Sequence, residues 1–355
     1  MSKSTRTTAP EGLKHRLAQA LLGALVVLGV LSLLIALSGN SIGQGYRLIV
    51  QGAIGIPPSD QLSPLDAWDA VLHDMTLLIL TGLSVAIALQ AGLFNIGAAG
   101  QLLMGAMVAG WIGTRSDLPT AVHLPLTLSL GALVGALWAL VPALLKLYRG
   151  AHEVITTIMF NYIALYLTHW LLMEHLQDPT SDVPRTAFLA ETAQLPPLGS
   201  FMQTSWGFVI AVMLALVLWA VLFRTVWGYE VRATGANRDA AEAGGVPVNR
   251  RTLQAMLLAG GMAGLAGAIE VVGTQYRFFE GFPADYGFDG IAVALLGANH
   301  PALAVVSAWV MSALRGGTYY LHIETGAPKE IAVIVQAVLI LYVAAVYLRK
   351  RRVEG

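Results

Sequence analysis

Runs of about 20 apolar residues alternate with short polar stretches along most of this chain, and that length lets an α-helix cross a bilayer core about 30 Å thick. The clear runs lie near residues 17–38, 71–91, 93–113, 121–146, 153–174, 206–223, 252–274 and 330–348. Two more runs fill residues 286–322, separated by Asn299, His300 and Pro301. The pattern predicts an all-α polytopic membrane protein with about ten transmembrane helices, including short or broken ones.

The number of transmembrane helices depends on how two of these runs are interpreted. The first run within 286–322 is too short for a comfortable span, so it is either a half-helix or a re-entrant element, and the total lies between eight and ten. The run from Leu17 to Leu37 follows a basic N-terminus, as in a signal peptide, but it has the length of a span and no clear cleavage site. It is predicted to remain as the first helix.

Composition agrees with a membrane protein and excludes several activities. Hydrophobic residues make up 56% of the chain and charged residues 12%, against roughly a quarter charged in soluble domains. The chain has no cysteine, which excludes disulfides, thiolate catalysis and cysteine metal sites. It also has no phosphate-binding loop, no HExxH motif and no clustered histidines. We predict a transport protein with no catalytic residue, no metal site and no cofactor of its own.

Charge is distributed unevenly among the polar stretches. Arginine and lysine dominate residues 1–16, 224–251 and the tail 349–355, whereas aspartate and glutamate dominate residues 39–70 and 175–205. By the positive-inside rule the first three segments face the cytoplasm and the other two face outward. An even number of spans with both termini inside satisfies all five.

The run 93–113 begins with polar residues and glycines, in the stretch GLFNIGAAGQ (92–101). An unpaired polar group in a bilayer costs several kcal/mol, so the interruption needs a reason. Either Asn95 and Gln101 satisfy the backbone at a helix break, or they face a translocation path. Phe94, Asn95, Gln101 and the mid-span Asn161 are therefore pathway candidates.

Two acidic residues at membrane depth are further pathway candidates, because insertion there costs about 2.5–3.5 kcal/mol. Glu270 ends a helix whose glycines pack closely against a neighbour; the alternative is that it is hydrated or pairs with Arg277. Asp289 is predicted to open a short helix, where the helix dipole stabilises a carboxylate. Capping alone is the alternative for Asp289.

The cytoplasmic loop 224–251 contains a short helix pattern. Asn237 is a typical N-cap, RDAAEA (238–243) consists of strong helix formers, and Gly244 and Gly245 are typical terminators. The small face of this helix suits a groove on a partner protein. The loop is either a connector or a docking element.

Four stretches, in this order, resemble the permease subunits of ABC importers in the branch that holds branched-chain amino acid, simple sugar and nucleoside systems. They are GLFNIGAAGQLLMGA (92–106), GAHEVITTIMFNYIALYL (150–167), GYEVRATGANRDAAEAGGVPVNR (228–250) and YGFDGIAVALLGANHP (286–301). The second stretch is similar to the longer nucleoside permeases. The resemblance implies the fold of a type II ABC importer permease.

The resemblance also implies partners and a substrate. An ABC ATPase subunit, which would carry the ATP and Mg²⁺, docks on a coupling helix between Asn237 and Val246. A second, homologous permease and an extracytoplasmic substrate-binding lipoprotein complete the importer in the bacterial cytoplasmic (inner) membrane. The implied solute is a nucleoside, for which aromatic and amide side chains are suitable partners. The implied coupling-loop residues are Gly235, Asn237, Ala240, Ala241, Gly244 and Gly245.

One position departs from the family pattern. Where the family usually has a glutamate, between Gly97 and Gly100, this chain has Ala98 and Ala99. Either the specificity differs, or the acid serves packing, or the second permease supplies it.

The predicted organisation is a cytoplasmic segment (1–16), a single transmembrane permease domain (17–348) with the coupling loop (224–251), and a basic cytoplasmic tail (349–355). Two alternatives stay open. One is a permease for simple sugars or branched-chain amino acids, and the other is an ion-coupled secondary transporter, which would need no docking helix.

Overall fold

A computed structural model describes residues 9–56, 64–115, 118–199, 202 and 204–354. These residues form thirteen α-helices and no β-strand, apart from two isolated bridges. The helices are α1 Ala9–Leu37, α2 Ile42–Ala53, α3 Pro64–Gln90, α4 Ala98–Gly113, α5 Thr120–Arg149, α6 Glu153–Leu171, α7 Gly207–Arg224, α8 Val226–Ala236, α9 Arg238–Ala243, α10 Val248–Glu270, α11 Tyr286–Leu296, α12 Pro301–Thr325 and α13 Glu330–Glu354. A π-helical turn follows α6 at Leu172–Leu176 and another follows α10 at Val271–Gln275, and a 3₁₀ turn forms at Glu191–Ala193.

Each predicted span corresponds to a helix, namely α1, α3 to α7 and α10 to α13. By length and composition, five of the described helices qualify as spans, and seven if each of two sharply bent helix pairs is one span. One such pair is α11 and α12, bent by 119°. With 11 residues, α11 is only about 17 Å long. The prediction of an all-α membrane protein with short or broken helices is confirmed.

Helix boundaries differ from the predicted segments at both ends of the chain. The predicted N-terminal segment 1–16 lies outside the described residues as far as residue 8, and the rest belongs to α1. The predicted tail 349–355 continues α13 as far as Glu354, and residue 355 lies outside the described residues. The charge pattern alone did not indicate α2 or α8.

The chain divides into two compact units. The first comprises Met1–Asp60 and Ala313–Gly355, in which α1 packs against α2 and α13. The second comprises Gln61–Ser312 and contains every candidate site residue.

At the centre of the second unit are α3 and α10. In each of them 78% of the most apolar segment is buried, against 22–28% for α5, α6 and α7. The exposed side chains of α5 and α7 are largely leucine and valine. Such aliphatic faces match lipid, so α5 and α7 form the periphery of this unit.

Glycines allow α4, α5 and α10 to meet at backbone distance. A Cβ atom on Gly105 of α4 would lie 2.1 Å from the carbonyl oxygen of Gly264 on α10. A Cβ atom on Gly135 of α5 would lie 2.6 Å from the Cα atom of Gly264. Close packing of small residues is the main source of helix association in lipid, because burial from water contributes little there.

Candidate functional site

Residues 91–97 separate α3 from α4 and form the helix break. Gly92 has a φ of +78°, a left-handed conformation that glycine adopts without strain. The N–H groups of residues 91–93 still donate to carbonyl oxygens in the last turns of α3. Beyond them the helical ladder stops, so other groups inside the protein must bond the backbone.

Asn95 and Gln101 form a reciprocal amide pair at this break. Nδ2 of Asn95 donates to Oε1 of Gln101 at 2.9 Å, and Nε2 of Gln101 donates to Oδ1 of Asn95 at 3.1 Å. Asn95 also accepts from the backbone N–H of Gly97 at 3.1 Å. The two side chains are 0% and 1% exposed. Their polar groups act inside the fold, which supports the helix-break interpretation over a path lining in this conformation.

Asn161 of α6 stabilises the same break from a neighbouring helix. Its Nδ2 donates to the carbonyl oxygen of Ile96 at 2.9 Å, and its Oδ1 accepts from the backbone N–H of Gly100 at 2.8 Å. Gly100 lies in the first turn of α4, where N–H groups lack helical acceptors. Of the four candidates at the break, Phe94 and Asn161 are partly exposed, whereas Asn95 and Gln101 are buried.

Ala98 and Ala99 lie where the resemblance implies a glutamate. They are 0% and 3% exposed. A Cβ atom on Gly287 of α11 would lie 2.2 Å from the backbone nitrogen of Ala99, so α4 and α11 touch here. In this chain the position serves close helix packing.

Glu270 lies in a buried polar cluster between α3 and α10. It is 2% exposed; one carboxylate oxygen is 2.8 Å from Nε2 of His73, and the other accepts from Nε2 of Gln275 at 2.8 Å. Next to this group the Tyr286 hydroxyl donates to Asp74. Glu270 therefore pairs with His73 and not with Arg277, whose guanidinium lies 3.3 Å from the ring centroid of Phe188.

The sequence patterns did not identify His73 as a candidate. The available signal was the pair His73–Asp74 inside an otherwise apolar run, since ionisable residues at membrane depth indicate function or internal pairing. Among the described residues, no group of three or more His, Asp or Glu side chains is placed to hold a metal ion.

Asp289 does not open α11. The helix begins at Tyr286, with Asp285 in the N-cap position, because the residues from Tyr286 onward already adopt helical conformation. Asp289 still lies in the first turn and is partly exposed, so the favourable interaction with the helix dipole remains.

The short helix α9 has the predicted bounds. Oδ1 of Asn237 accepts from the backbone N–H of Ala240 at 3.0 Å, and Gly245 ends the turn with a φ of +83°. Asn237, Ala240, Gly244 and Gly245 are exposed. Ala241 is only 7% exposed, so it faces the protein and does not belong to an accessible docking surface.

A second helix, α8, precedes α9 in the predicted loop. Thr225 caps it by accepting from the backbone N–H of Gly228 at 3.1 Å. Trp227 donates to Gln254 of α10 at 2.9 Å, and an ion pair joins Glu230 to Arg251. The signal for this helix was the cap at Thr225 followed by the apolar pair Trp227 and Val231, one helical turn apart.

Gly235, near the end of α8, lies directly against the helix break. A Cβ atom on Gly235 would be 2.2 Å from the carbonyl oxygen of Gln90 and 2.7 Å from the backbone nitrogen of Gly92. The exposed helix α9 begins three residues after this backbone contact, at Arg238. A displacement of α9 would therefore be transmitted through Gly235 to the junction of α3 and α4.

Comparisons with known proteins agree with this architecture. A family described as the branched-chain amino acid transport system permease component matches residues 68–344. A guanosine ABC transporter permease protein of Bacillus subtilis strain 168 is 38% identical over 91% of this chain and 92% of its own length. A nucleoside ABC transporter permease protein of Lactococcus lactis subsp. cremoris strain MG1363 is 35% identical over 78% of this chain and 79% of its own length. A glucose ABC transporter permease protein of Haloferax volcanii is 34% identical over 75% of this chain and 72% of its own length. The chain belongs to this permease family, as a multi-pass membrane subunit of an ABC transporter that transports solute and leaves ATP hydrolysis to a separate partner.

Proposed function

We propose that this permease carries nucleosides into the cell as the membrane-spanning subunit of an ABC importer. The observation that supports this substrate is the 38% identity to a guanosine permease over about nine-tenths of both chains. The glucose permease is similar over a smaller share of each chain. It supports the sugar alternative less well.

The proposed setting is the bacterial inner membrane, with both termini and α9 on the cytoplasmic side. The support is the concentration of arginine and lysine in residues 1–16, 224–251 and 349–355. A binding lipoprotein delivers the solute at the opposite face. A second, homologous permease completes the path, and the missing glutamate at Ala98 and Ala99 is consistent with two unlike permeases that divide the family's residues between them.

In the proposed mechanism, α9 couples solute transport to ATP hydrolysis in the partner subunit. The exposed face with Ala240 docks the ATPase subunit, which binds ATP and Mg²⁺. Movement of α9 then reaches the helix break through the contact of Gly235 with Gln90 and Gly92. Glycine at both sides of this contact lets the two backbones slide with little steric resistance.

The test is uptake of radiolabelled guanosine, glucose and leucine in cells that lack their own carriers for these solutes. The chain is expressed together with an ATPase subunit, a binding protein and a second permease from the same genome. We expect guanosine uptake that requires the ATPase subunit and is blocked by excess unlabelled nucleoside. Uptake of glucose or leucine without uptake of guanosine would refute the proposal that the substrate is a nucleoside. Transport by the chain alone, driven by an ion gradient, would refute the ABC importer assignment.

A further inference from the structure

The C-terminal part of α6 and residues 278–282 enclose a cavity of about 380 Å³. We call it the aromatic pocket; its lining includes Tyr166, His169, Phe278, Phe279, Glu280 and Phe282. Its volume lies within the range of small-molecule sites. None of these residues belongs to the helix break or to the cluster around Glu270.

The aromatic wall of this pocket is held in place by backbone hydrogen bonds. The Thr186 N–H donates to the Phe278 carbonyl at 2.8 Å, and the Phe278 N–H donates to the side-chain hydroxyl of Thr186 at 3.0 Å. The N–H of Glu280 donates to the carbonyl of Pro184 at 3.0 Å. The rings of Phe278 and Phe282 stack with centroids 5.2 Å apart. The wall is therefore preorganised, which lowers the ordering cost of binding.

A polar pair stands beside this wall. Nδ1 of His169 is 2.8 Å from Oε1 of Glu280, and the two side chains are 49% and 50% exposed. A histidine ring has a second nitrogen and a carboxylate a second oxygen, so each group can also bond a ligand. An aromatic surface next to a carboxylate and an imidazole suits a molecule that has both a flat ring and hydroxyl groups.

The surface of α6 around the pocket differs from the lipid-facing surface of α5. On α6, Tyr162, Tyr166 and His169 share one face and are 55%, 69% and 49% exposed. The exposed large side chains along the middle of α5 are leucine and valine. Polar groups on a membrane span normally face a water-filled path or another helix. The same face also exposes Met159 and Met173, so its polar groups are concentrated between Tyr162 and His169, beside the pocket.

We propose that the aromatic pocket is a weak, specificity-determining binding site for the nucleoside during entry. The base stacks on Phe279 and Tyr166, the ribose hydroxyls donate to Glu280, and His169 bonds the base edge. This inference rests on the proposed nucleoside function. With the proposed orientation, the pocket lies at the end of α6 where the binding protein delivers the solute.

The absence of cysteine from the chain permits a direct test. The Phe279→Cys and Tyr166→Cys variants each introduce a single thiol into the pocket. The control is Trp170→Cys, an exposed position of α6 outside the pocket lining. Membrane vesicles with the complete importer are treated with a maleimide reagent, with and without saturating guanosine, and labelling of this chain is followed on a gel.

We expect guanosine to slow alkylation at positions 279 and 166 at least threefold, with no effect of glucose and none at position 170. In parallel, Glu280→Gln should raise the KM for guanosine uptake several-fold with an unchanged maximal rate. Vesicles that import guanosine but show no protection at either pocket position would overturn this inference alone. Vesicles of the unaltered protein that import no nucleoside would overturn the proposed function and this inference with it.

Discussion

Replacement of Gly264 by alanine tests the glycine contact between α5 and α10. The new Cβ atom would lie 2.5 Å from the carbonyl oxygen of Gly131 and 2.8 Å from the Cα atom of Gly135. Ordinary contacts of a Cβ atom begin at 3.4 Å, so the first contact is about 0.9 Å too short. Because the opposing atoms are backbone, relief requires that α5 and α10 move apart.

Gly261 is the matched control on the same helix. A Cβ atom there would meet only Ala132 O at 3.5 Å and the Ala136 Cβ atom at 3.8 Å. Alanine is favoured over glycine inside a helix by about 1 kcal/mol at both positions. Overpacking at Gly264 costs about 1–3 kcal/mol. Gly264→Ala is therefore expected to be about 1–3 kcal/mol less stable than Gly261→Ala.

The assay is reversible unfolding of the two purified variants in mixed micelles with increasing SDS, followed by circular dichroism. The comparison cancels the shared gain in helix propensity, so the difference in the free energy of unfolding reports the contact itself. Equal unfolding midpoints for the two variants would show that α5 and α10 do not meet at backbone distance.

Three further substitutions test the coupling route and the buried cluster. Gly235→Ala should abolish guanosine uptake while the ATPase subunit still co-purifies, because its Cβ atom would lie 2.2 Å from the carbonyl oxygen of Gln90 and 2.7 Å from the backbone nitrogen of Gly92. Gly261→Ala, whose contacts begin at 3.5 Å, should transport normally; equal uptake by the two variants would exclude this route. Ala240→Arg should prevent co-purification of the ATPase at normal membrane levels, and the same change at exposed Tyr148 should not; retained ATPase would refute docking on α9. Glu270→Leu should lower the free energy of unfolding by about 1–3 kcal/mol because buried hydrogen-bonding groups lose a partner, and Glu270→Gln by less; no difference between them would contradict the hydrogen bonds of the cluster.

The features that the sequence predicted well depend on neighbouring residues. Span length follows from a run of apolar residues and the thickness of a bilayer. The bounds of α9 follow from the cap at Asn237 and the glycines after Ala243, which act within one or two turns. The break at residues 91–97 follows from polar and glycine residues that a continuous apolar helix would not contain.

Predictions about individual polar side chains were less successful, since their partners are distant in sequence. Glu270 bonds His73, 197 positions away, and no local pattern joins the two. Ala241 looked equivalent to Ala240, but packing buries one and exposes the other. Asp289 was placed at a helix start that Asp285 and Tyr286 occupy instead.

By itself the sequence determined that this is an all-α membrane protein, where its apolar helices and the break lie, and where the short helix α9 begins and ends. Only the tertiary structure decided that Asn95, Gln101 and Asn161 hold the break together, that Gly235 touches it, and that residues 165–172 and 278–282 enclose an aromatic pocket. The physical reason is the range of the interactions. Propensity, capping and membrane insertion act on adjacent residues, whereas hydrogen-bond partners and cavities arise from segments that meet only after the helices pack.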